Sequence, residues 1–345
     1  MVAAFLFLVT GVSLRGPHLP AAHGLGSSLQ PSRAAALLRA AGAVQLFVLN
    51  QNEDSISVLN TLTNSVMSRV KVTGNPRGAA ILPDGKTVYI SLNGANSVVA
   101  LDTRTRRITA VIPVGNNPVG IAANPRPPFV YAVNNYSNSI SVIDARKNRV
   151  VRTVAVGSVP TEIAVSPDGT RAIVTNQSGG TVTMLDAVAN RVLATIPVGS
   201  TPVGVAFTPD SQFAWVTLAG QDEVAVLDVS ARKVIRRVSA GHGPVRVAIS
   251  RDGKYALISD FFSNTLTVIQ TASLQSVKKI AVGLNPVGLT LDAPGDFMFV
   301  ANYSSNTVSV IDMRTMTVVS NIDVGKNPVE MAALPCFSIP CAPQQ

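Results

Sequence analysis

Seven prolines recur along this chain at a constant spacing of 42 residues. They are Pro76, Pro118, Pro160, Pro202, Pro244, Pro286 and Pro328. Most of them close a V-G-x-x-P segment, such as V-G-N-N-P at 114–118. A fixed period of this length is typical of a solenoid, a propeller or an array. The content of one repeat decides between these architectures.

The repeat that starts at Pro160 contains four short runs rich in β-branched residues, at 162–166, 172–176, 181–186 and 192–198. Clusters of Pro, Asp, Gly and Asn separate the runs, as expected of turns between strands. This pattern predicts four strands and no helix in each repeat. Seven four-stranded antiparallel units of this length predict an all-β, seven-bladed propeller.

The two ends of the repeat region predict how the ring closes. Three runs, at 46–50, 56–60 and 66–72, precede the first repeated proline, and one run at 329–334 follows the last. Together they supply the four strands of one blade, so both chain ends would share it and no sheet edge would remain open between the first and last blades. The predicted organisation is a leader at 1–43, a propeller at 44–335 and a tail at 336–345.

Several repeats carry related motifs at the predicted second strand. They read Y-A-V-N at 131–134, A-I-V-T-N at 172–176 and F-V-A-N at 299–302, the last followed by S-N-T-V-S-V-I-D at 305–312. Over residues 44–334 the chain resembles the YVTN-type β-propeller repeat, a WD40-like architecture. The resemblance implies an extracytoplasmic or surface propeller without a shared reaction, although the same architecture also hosts lactonases and lyases.

The ends of the chain favour export. The first 43 residues contain no Asp or Glu, open on an apolar run at 2–12 and end in small residues at 41–43. This composition predicts a signal sequence and a periplasmic or secreted protein, with a misassigned start or a low-complexity extension as the alternative. Cys336 and Cys341 could form a small disulfide loop in an oxidising compartment, or remain free thiols.

Three charged residues occupy a position that other repeats leave to glycine. The second residue after the repeated proline is Gly in four repeats and Glu162, Arg246 or Glu330 in the other three. Their heads are expected in the mouth of a central funnel, solvated or paired. Residues of the top loops are expected beside them: Arg77, His242, Asn134, Tyr136, Asn176, Asp260, Phe261, Phe262, Asn302 and Tyr303.

The funnel residues admit two interpretations. Arg246 could hold a small anionic or zwitterionic ligand, in which case Glu162, Arg246, Glu330, Arg77, His242, Asn134, Asn176, Asp260 and Asn302 form a binding site. Alternatively, Arg246 pairs with Glu162 or Glu330 and pins blades together. The sequence leaves this choice open. A protein partner at the top face is the other candidate occupant.

The residue inventory disfavours most enzyme mechanisms. His18 and His23 lie in the leader, which leaves His242 as the one histidine of the propeller and counts against a multi-histidine metal centre. No G-x-S-x-G nucleophile motif is present. The sequence therefore predicts a binding scaffold with no catalytic residue, metal or cofactor. The alternative is a lactonase-type hydrolase with a calcium-type ion on Glu162 and Glu330, which Arg246 between them argues against.

The formal net charge of +9 is concentrated near the predicted fourth strand. Arg107, Arg149, Arg191 and Lys233 share one repeat position in four consecutive repeats. Charge on an outermost strand blocks edge-to-edge aggregation, which explains this basic rim without a partner. Weak contact with an anionic polymer, a lipid headgroup or nucleic acid is the functional alternative. No nucleic-acid motif or interleaved aromatic residue accompanies the basic residues.

Overall fold

Seven antiparallel sheets make up the part of the chain that the structure, a computed structural model, describes: residues 45–124 and 127–335. The predicted leader and the two cysteines lie outside these residues. Each sheet contains four strands, and its innermost strand is the one that begins at the repeated proline. The prediction of a seven-bladed propeller is confirmed.

The strand bounds follow the repeat closely. Blade 7 supplies β1 (Gln45–Asn50), β2 (Ser55–Asn60) and β3 (Ser65–Lys71). Blade 1 contains β4 (Pro76–Ile81), β5 (Thr87–Leu92), β6 (Ser97–Asp102) and β7 (Ile108–Pro113). Blade 2 contains β8 (Pro118–Ala123), β9 (Phe129–Asn134), β10 (Ser139–Asp144) and β11 (Arg149–Ala155). Blade 3 contains β12 (Pro160–Val165), β13 (Arg171–Asn176), β14 (Thr181–Asp186) and β15 (Arg191–Pro197).

The remaining blades repeat the same order. Blade 4 contains β16 (Pro202–Phe207), β17 (Phe213–Leu218), β18 (Glu223–Asp228) and β19 (Lys233–Ser239). Blade 5 contains β20 (Pro244–Ile249), β21 (Tyr255–Asp260), β22 (Thr265–Gln270) and β23 (Gln275–Ala281). Blade 6 contains β24 (Pro286–Leu291), β25 (Phe297–Asn302), β26 (Thr307–Asp312) and β27 (Thr317–Asp323). Strand β28 (Pro328–Ala333) completes blade 7, and 3-10 turns follow β1, β5 and β9 at Gln51–Glu53, Asn93–Ala95 and Asn135–Ser137.

Blade 7 closes the ring as the sequence predicts. Its strand order is β28-β1-β2-β3, and β1 pairs antiparallel with β28 from Leu46 opposite Ala333 to Leu49 opposite Glu330. The Leu334 N–H donates to the Gln45 carbonyl oxygen at 2.9 Å. Strands from both ends of the described chain therefore share one hydrogen-bonded ladder.

The core lies between neighbouring blades. The middle strands are buried on both faces, whereas the outermost strands alternate between exposed and partly buried residues. A typical layer packs Ile173 and Met184 of blade 3 against Val216 and Leu227 of blade 4. Small β-branched residues dominate because each sheet must fit closely against two others.

The top face carries the connections between the second and third strands and the turns before the inner strands. One residue in each of these connections stabilises this face. This residue has a left-handed backbone in every blade, with φ between 48° and 60°. It is Asp54, Asn96, Asn138, Gly180, Asp222, Asn264 or Asn306. In six blades its side-chain Oδ1 accepts the N–H of the residue just before the next repeated proline, for example from Asn117 to Asn96 at 2.8 Å.

Every described inner strand carries a β-bulge just after the proline. In blade 5, Pro244 pairs with Asp260 and Arg246 with the adjacent Ser259, so Val245 is the extra residue. Corresponding register shifts occur in the other six blades. A bulge changes the direction of the neighbouring side chains. These bulges therefore determine how the second residue after each repeated proline is oriented relative to the propeller axis.

Candidate functional site

The three charged inner-strand residues come from alternate blades. Glu162 lies on β12 of blade 3, Arg246 on β20 of blade 5 and Glu330 on β28 of blade 7. Each stands at the inner-strand bulge, where four blades carry glycine. In blades 3 and 5, a hydroxyl of the second strand accepts the backbone N–H of the charged residue: Thr175 for Glu162 and Ser259 for Arg246.

The glycine in the preceding blade leaves room for each charged residue. A Cβ at Gly120 would lie 2.9 Å from the Oε1 atom of Glu162, and one at Gly288 would lie 3.0 Å from the Oε1 atom of Glu330. A Cβ at Gly204 would lie 2.9 Å from the Cα atom of Arg246. Each large residue therefore has a glycine in the blade before it, whereas blades 1 and 2 both carry glycine, at Gly78 and Gly120.

The three charged heads meet in one ion cluster. The Nη2 atom of Arg246 lies 2.5 Å from Oε2 of Glu162 and 3.0 Å from Oε2 of Glu330. The Nε atom of Arg246 donates a further hydrogen bond to Oε2 of Glu330 at 3.0 Å. The side chains are only 17%, 12% and 14% exposed for Arg246, Glu162 and Glu330, respectively. The heads are therefore paired and largely buried, and Arg246 connects blades 3, 5 and 7.

Backbone groups hold the other carboxylate oxygens. The Oε1 atom of Glu162 accepts the Ile163 N–H at 3.1 Å, and the Oε1 atom of Glu330 accepts the Met331 N–H at 3.0 Å. The Oε2 atom of Glu162 makes its ion pair without the alignment of a hydrogen bond. This contact is electrostatic, whereas the contact of Arg246 with Glu330 is both an ion pair and a hydrogen bond.

Arg77 is a second cation close enough to interact electrostatically with Arg246, Glu162 and Glu330. Its Nη1 atom donates to the Oε1 atom of Gln51 at 3.3 Å. Burial, together with the charge of Arg246, lowers the pKa of Arg77 to about 10, although Tyr303, Glu162 and Glu330 act in the opposite direction. At neutral pH Arg77 stays protonated, so the two arginines balance the two glutamates.

Burial and neighbouring charges change the pKa values of Glu162 and Arg246. Burial raises the pKa of Glu162, and the nearby charge of Arg246 only partly offsets this. Burial alone would lower the pKa of Arg246, but Glu162 and Glu330 raise it above its ordinary value. Arg246 therefore remains charged, and the cluster has the character of a buried salt bridge rather than of an open site.

The prediction that places four strand-end residues in the funnel mouth is wrong. Asn134, Asn176, Asp260 and Asn302 are fully buried, and each bonds to hydroxyl groups of its own blade. All except Asn302 also accept an N–H from the turn that leads into that blade. The Oδ1 atom of Asn134 accepts the Gly115 N–H at 3.1 Å, while its Nδ2 atom donates to two serine hydroxyls of β10. The amides of Asn134 and Asn176 therefore join the second and third strands of their own blade to the turn before its inner strand.

Asp260 performs the same task with a carboxylate. Its Oδ1 atom accepts the Gly241 N–H at 2.9 Å, and its Oδ2 atom accepts the hydroxyls of Thr265 and Thr267 at 3.2 and 2.6 Å. Burial raises the pKa of Asp260, although all three hydrogen bonds favour the charged form. Asp260 is therefore a structural residue and is not available to a ligand in the funnel.

His242 lies on the top face and contacts none of the three axial charges. His242 belongs to the turn that leads into blade 5, and its Nδ1 atom is 2.9 Å from Oδ2 of Asp222, in the turn between β17 and β18 of blade 4. Its ring lies against Phe262 with a centroid distance of 5.1 Å, and Phe262 meets Phe261 edge-to-face at 5.2 Å. Asn285, which follows Leu284 in the next turn, donates from Nδ2 to the Phe261 carbonyl oxygen.

These residues form the top patch: His242, Phe261, Phe262 and Leu284. Phe262 and Leu284 are 51% and 54% exposed. Among the described residues, the exposed aromatic hydrophobics are Phe262 and Tyr136, which share one repeat position in the top loops of blades 5 and 2. Sequence reasoning named the aromatic members but missed Leu284, which the repeat would have revealed as an apolar residue in a turn that is otherwise mostly small or polar.

In residues 45–124 and 127–335, no group of three or more His, Cys, Asp and Glu side chains is arranged to hold a metal ion. Across the same ranges, no helix has the length and apolar character needed to span a membrane.

Comparison with known proteins supports the architecture. A family described as YNCE-like beta-propeller matches residues 210–295. A search of curated proteins gives no significant match. Among solved structures, a functionally unknown protein from Desulfotomaculum acetoxidans is 17% identical with a TM-score of 0.77, and the alignment covers 85% of this chain and 99% of that one.

Two further solved structures share the fold. Kuenenia stuttgartiensis hydrazine synthase is 21% identical with a TM-score of 0.69, over 79% of this chain and 96% of that chain. Dihydro-heme d1 dehydrogenase NirN, in complex with DHE, is 14% identical with a TM-score of 0.64, over 84% of this chain and 74% of that chain. At these identities the similarity concerns the fold alone. The seven four-stranded blades make this chain a seven-bladed β-propeller, and the 42-residue repeat and the match over residues 210–295 support the YVTN type.

Proposed function

We propose that this protein is a non-catalytic binding scaffold that holds a protein partner on its top face, outside the cytoplasm. The observation that carries the proposal is the top patch, in which Phe262 and Leu284 are about half exposed in adjacent turns. Aromatic and large apolar side chains with a polar rim are typical of the centre of protein interfaces. His242 and Asp222 provide the polar groups at the edge of this patch.

The axial cluster supports a structural role for Arg246. A ligand anchor needs a cation that is free to bind, whereas Arg246 already contacts both Glu162 and Glu330. A small anion would have to displace two buried carboxylates, each of which would then lose its partner in a poorly solvated place. We therefore favour the interpretation in which Arg246 pins the blades, and we place the binding surface above it.

The hydrolase alternative has less support. It needs Glu162 and Glu330 to hold a divalent cation, but Arg246 lies within 3.0 Å of an oxygen of each. A cation at this point would be repelled by the guanidinium and by nearby Arg77. The fold also occurs in hydrazine synthase and in a dehydrogenase, and a similarity of fold does not transfer a reaction.

The test compares two double variants in the native host. Phe262→Ser with Leu284→Ser removes the apolar part of the top patch. Val277→Ser with Val319→Ser removes two outer-strand side chains of matching exposure, 50% and 53%. Each protein is crosslinked in living cells, and the attached proteins are quantified by mass spectrometry.

We expect at least one protein whose crosslinked yield falls about tenfold with the top-patch variant and stays unchanged with the outer-strand variant, because interface centres supply most of the binding energy. If both variants retain the same set of proteins in the same amounts, the top patch is not the binding surface. Circular dichroism and the melting temperature of both variants verify that the propeller remains folded.

A further inference from the structure

The outermost strand has a β-bulge at the same place in all seven blades of the described chain. In blade 4, Val226 pairs with Arg236 and Leu227 with Val234, so Ile235 is the extra residue. The extra residue in the seven blades is Met67, Thr109, Val151, Leu193, Ile235, Val277 or Val319. A bulge on an edge strand twists the edge and hinders pairing with another sheet.

The outer bulge also changes which side chains share a face. Without it, residues three apart on a strand would point to opposite faces. With it, Lys233 lies opposite Asp228 and Arg236 lies opposite Val226, two residues apart on β18, so Lys233 and Arg236 share one face of blade 4. The sequence alone does not reveal this pairing, because the repeat contains no local mark of the bulge.

Contacts made by equivalent residues show that this face turns toward the following blade. Arg152 occupies the position of Arg236 in blade 2, and its Nη1 atom donates to the Ala189 carbonyl oxygen of blade 3. Lys278 occupies it in blade 5, and its Nζ atom donates to the Thr315 carbonyl oxygen of blade 6 at 3.0 Å. Lys233 and Arg236 therefore face the groove between blades 4 and 5.

Blade 5 contributes a third cation to the same groove. Lys279 follows Lys278 on β23 and pairs with Thr267, so it lies on the opposite face of its sheet, toward blade 4. Lys233, Arg236 and Lys279 are exposed. Among the described residues, Arg191 and Arg237 of the outer strands form ion pairs, and none of these three cations takes part in them. We call these three residues the rim groove.

We propose that the rim groove binds a linear acidic polysaccharide through its carboxylate or sulfate groups. Arg236 donates from Nη1 to the Ile235 carbonyl oxygen at 2.9 Å, and Lys233 lies opposite Asp228. The three exposed charges still attract anions, and a chain of repeated anionic groups can contact several of them at once. Arg149 and Arg152 of blade 2 offer a second cationic pair on the same lateral rim, built by the same bulge and separated from the rim groove by blade 3. A flexible chain can therefore follow the rim from blade to blade.

The shape and composition of the rim disfavour other polyanions. A flat lipid bilayer would touch only a small part of a convex lateral surface. Duplex DNA is stiff over about 150 base pairs, so following the rim of one small propeller would cost bending energy. Single-stranded nucleic acid gains much of its affinity from bases stacked on aromatic side chains. The exposed apolar residues of the described outer strands are aliphatic, such as Val277 and Val319.

The experiment uses the full chain and four probes: a heparin fragment, a polygalacturonate fragment, single-stranded DNA and duplex DNA, matched in number of charges. The test variant is Lys233→Gln, Arg236→Gln, Lys279→Gln. The control variant, Lys86→Gln, Lys254→Gln, Lys326→Gln, removes the same net charge at exposed positions away from the outer strands. Affinity is measured by fluorescence anisotropy between 50 and about 200 mM salt, the range in which polyanion contacts weaken strongly.

We expect both polysaccharides to bind more tightly than either nucleic acid. The rim-groove variant should lose about tenfold in affinity for the polysaccharides and show a shallower dependence on salt, while the control variant changes by less than about threefold. Three results would each overturn the proposal: an equal loss in both variants, tighter binding of either DNA, or no polysaccharide binding at the lowest salt concentration.

Discussion

At the residue scale, the residue at the end of the second strand and the residues five and seven positions later form matching sets of hydrogen-bonding groups. Where this residue is Asn, hydroxyl residues stand five and seven positions later, as Thr181 and Thr183 do for Asn176. Where it is Leu218, the residue seven positions later is Ala225, which needs no partner. Asp260 keeps both threonines, because hydroxyl groups can donate to a carboxylate as well as accept from an amide.

This arrangement predicts that Asp260→Asn stabilises the protein at neutral pH. An aspartate in an unfolded chain has a pKa of about 3.9, and burial raises the pKa of Asp260 in the folded protein. The folded state therefore loses stability, relative to the unfolded chain, as the pH rises through this interval. Asparagine removes this penalty, so we expect the free energy of unfolding to increase by about 1 kcal/mol at pH 7.

Urea unfolding at several pH values measures the effect. The gain from Asp260→Asn should shrink as the pH falls toward about 3.9, where the wild-type carboxyl becomes protonated in both states. Asn176→Asp is the matched control and should lower stability at pH 7, since it places a charge in an equivalent buried network. A gain that is the same at all pH values would contradict this account of Asp260.

The sequence could have predicted this structural role only in part. The sequence shows that a polar residue recurs at the end of the second strand in most repeats. It does not show whether that side chain is buried or faces the funnel. The hydroxyls five and seven residues later were the available signal. Their importance depends on the antiparallel pairing of Asn176 with Thr181, which brings the neighbouring side chains onto a common face.

At the element scale, the inner strands are joined through their side chains as well as through packing. The hydroxyl of Thr175 accepts the Glu162 N–H and donates to the Val203 carbonyl oxygen of the next blade at 2.7 Å. Ser91, Thr217 and Ser259 make corresponding bridges from their own blades. The ion cluster adds a longer connection, since Arg246 reaches two blades that are not its neighbours.

If Arg246 pins the inner strands, Arg246→Ala should destabilise the propeller. Two buried carboxylates would lose their cation, a change that typically costs about 3 to 5 kcal/mol. The loss should be largest at neutral pH and should diminish on acidification, because burial raises the pKa of Glu162 and protonation then removes its charge. Urea unfolding at pH 7 and at pH 4.5 provides the comparison.

Adding Glu162→Gln to Arg246→Ala should recover part of the stability, because one carboxylate then remains instead of two. Recovery by the second change identifies the cluster as the cause. An Arg246→Ala protein as stable as the wild type would contradict the pin and return Arg246 to consideration as a ligand anchor.

The elements themselves were largely predictable, and their irregularities were not. The period, the β-branched runs and the turn residues predicted all four strands of each blade. Neither bulge carries a local signature, because each depends on how one strand is registered against the next, as at Ile235 on β19. The placement of Arg246 within reach of Glu162 and Glu330 follows from those bulges and from ring closure together.

At the scale of the whole molecule, stability depends on the single blade that both ends of the chain build. Val329, Met331 and Ala332 of β28 belong to the apolar layers between blade 7 and its two neighbours. A chain that ends after Asn327 lacks this inner strand and also Glu330. We expect it to be insoluble or to melt at least about 10 °C below the full chain.

Differential scanning fluorimetry of the purified proteins tests the role of β28. A chain that ends after Pro335 retains every strand and serves as the control. If the chain lacking β28 melts at the temperature of this control, the closure does not stabilise the ring. The pairing of the two ends was predictable from the sequence, because three strands precede the first repeated proline and one follows the last.

The ladder between β1 and β28 also sets how the molecule would respond to mechanical force. Gln45 begins β1 and Ala333 ends β28, and the two lie at the same end of this antiparallel ladder. A tension applied to these two points would therefore load the hydrogen bond between Leu334 and Gln45 first and then each following bond in turn. The hydrogen bonds of the ladder would break one at a time instead of sharing the load in shear. A weak force at these two points would therefore open a ring that is stable to heating.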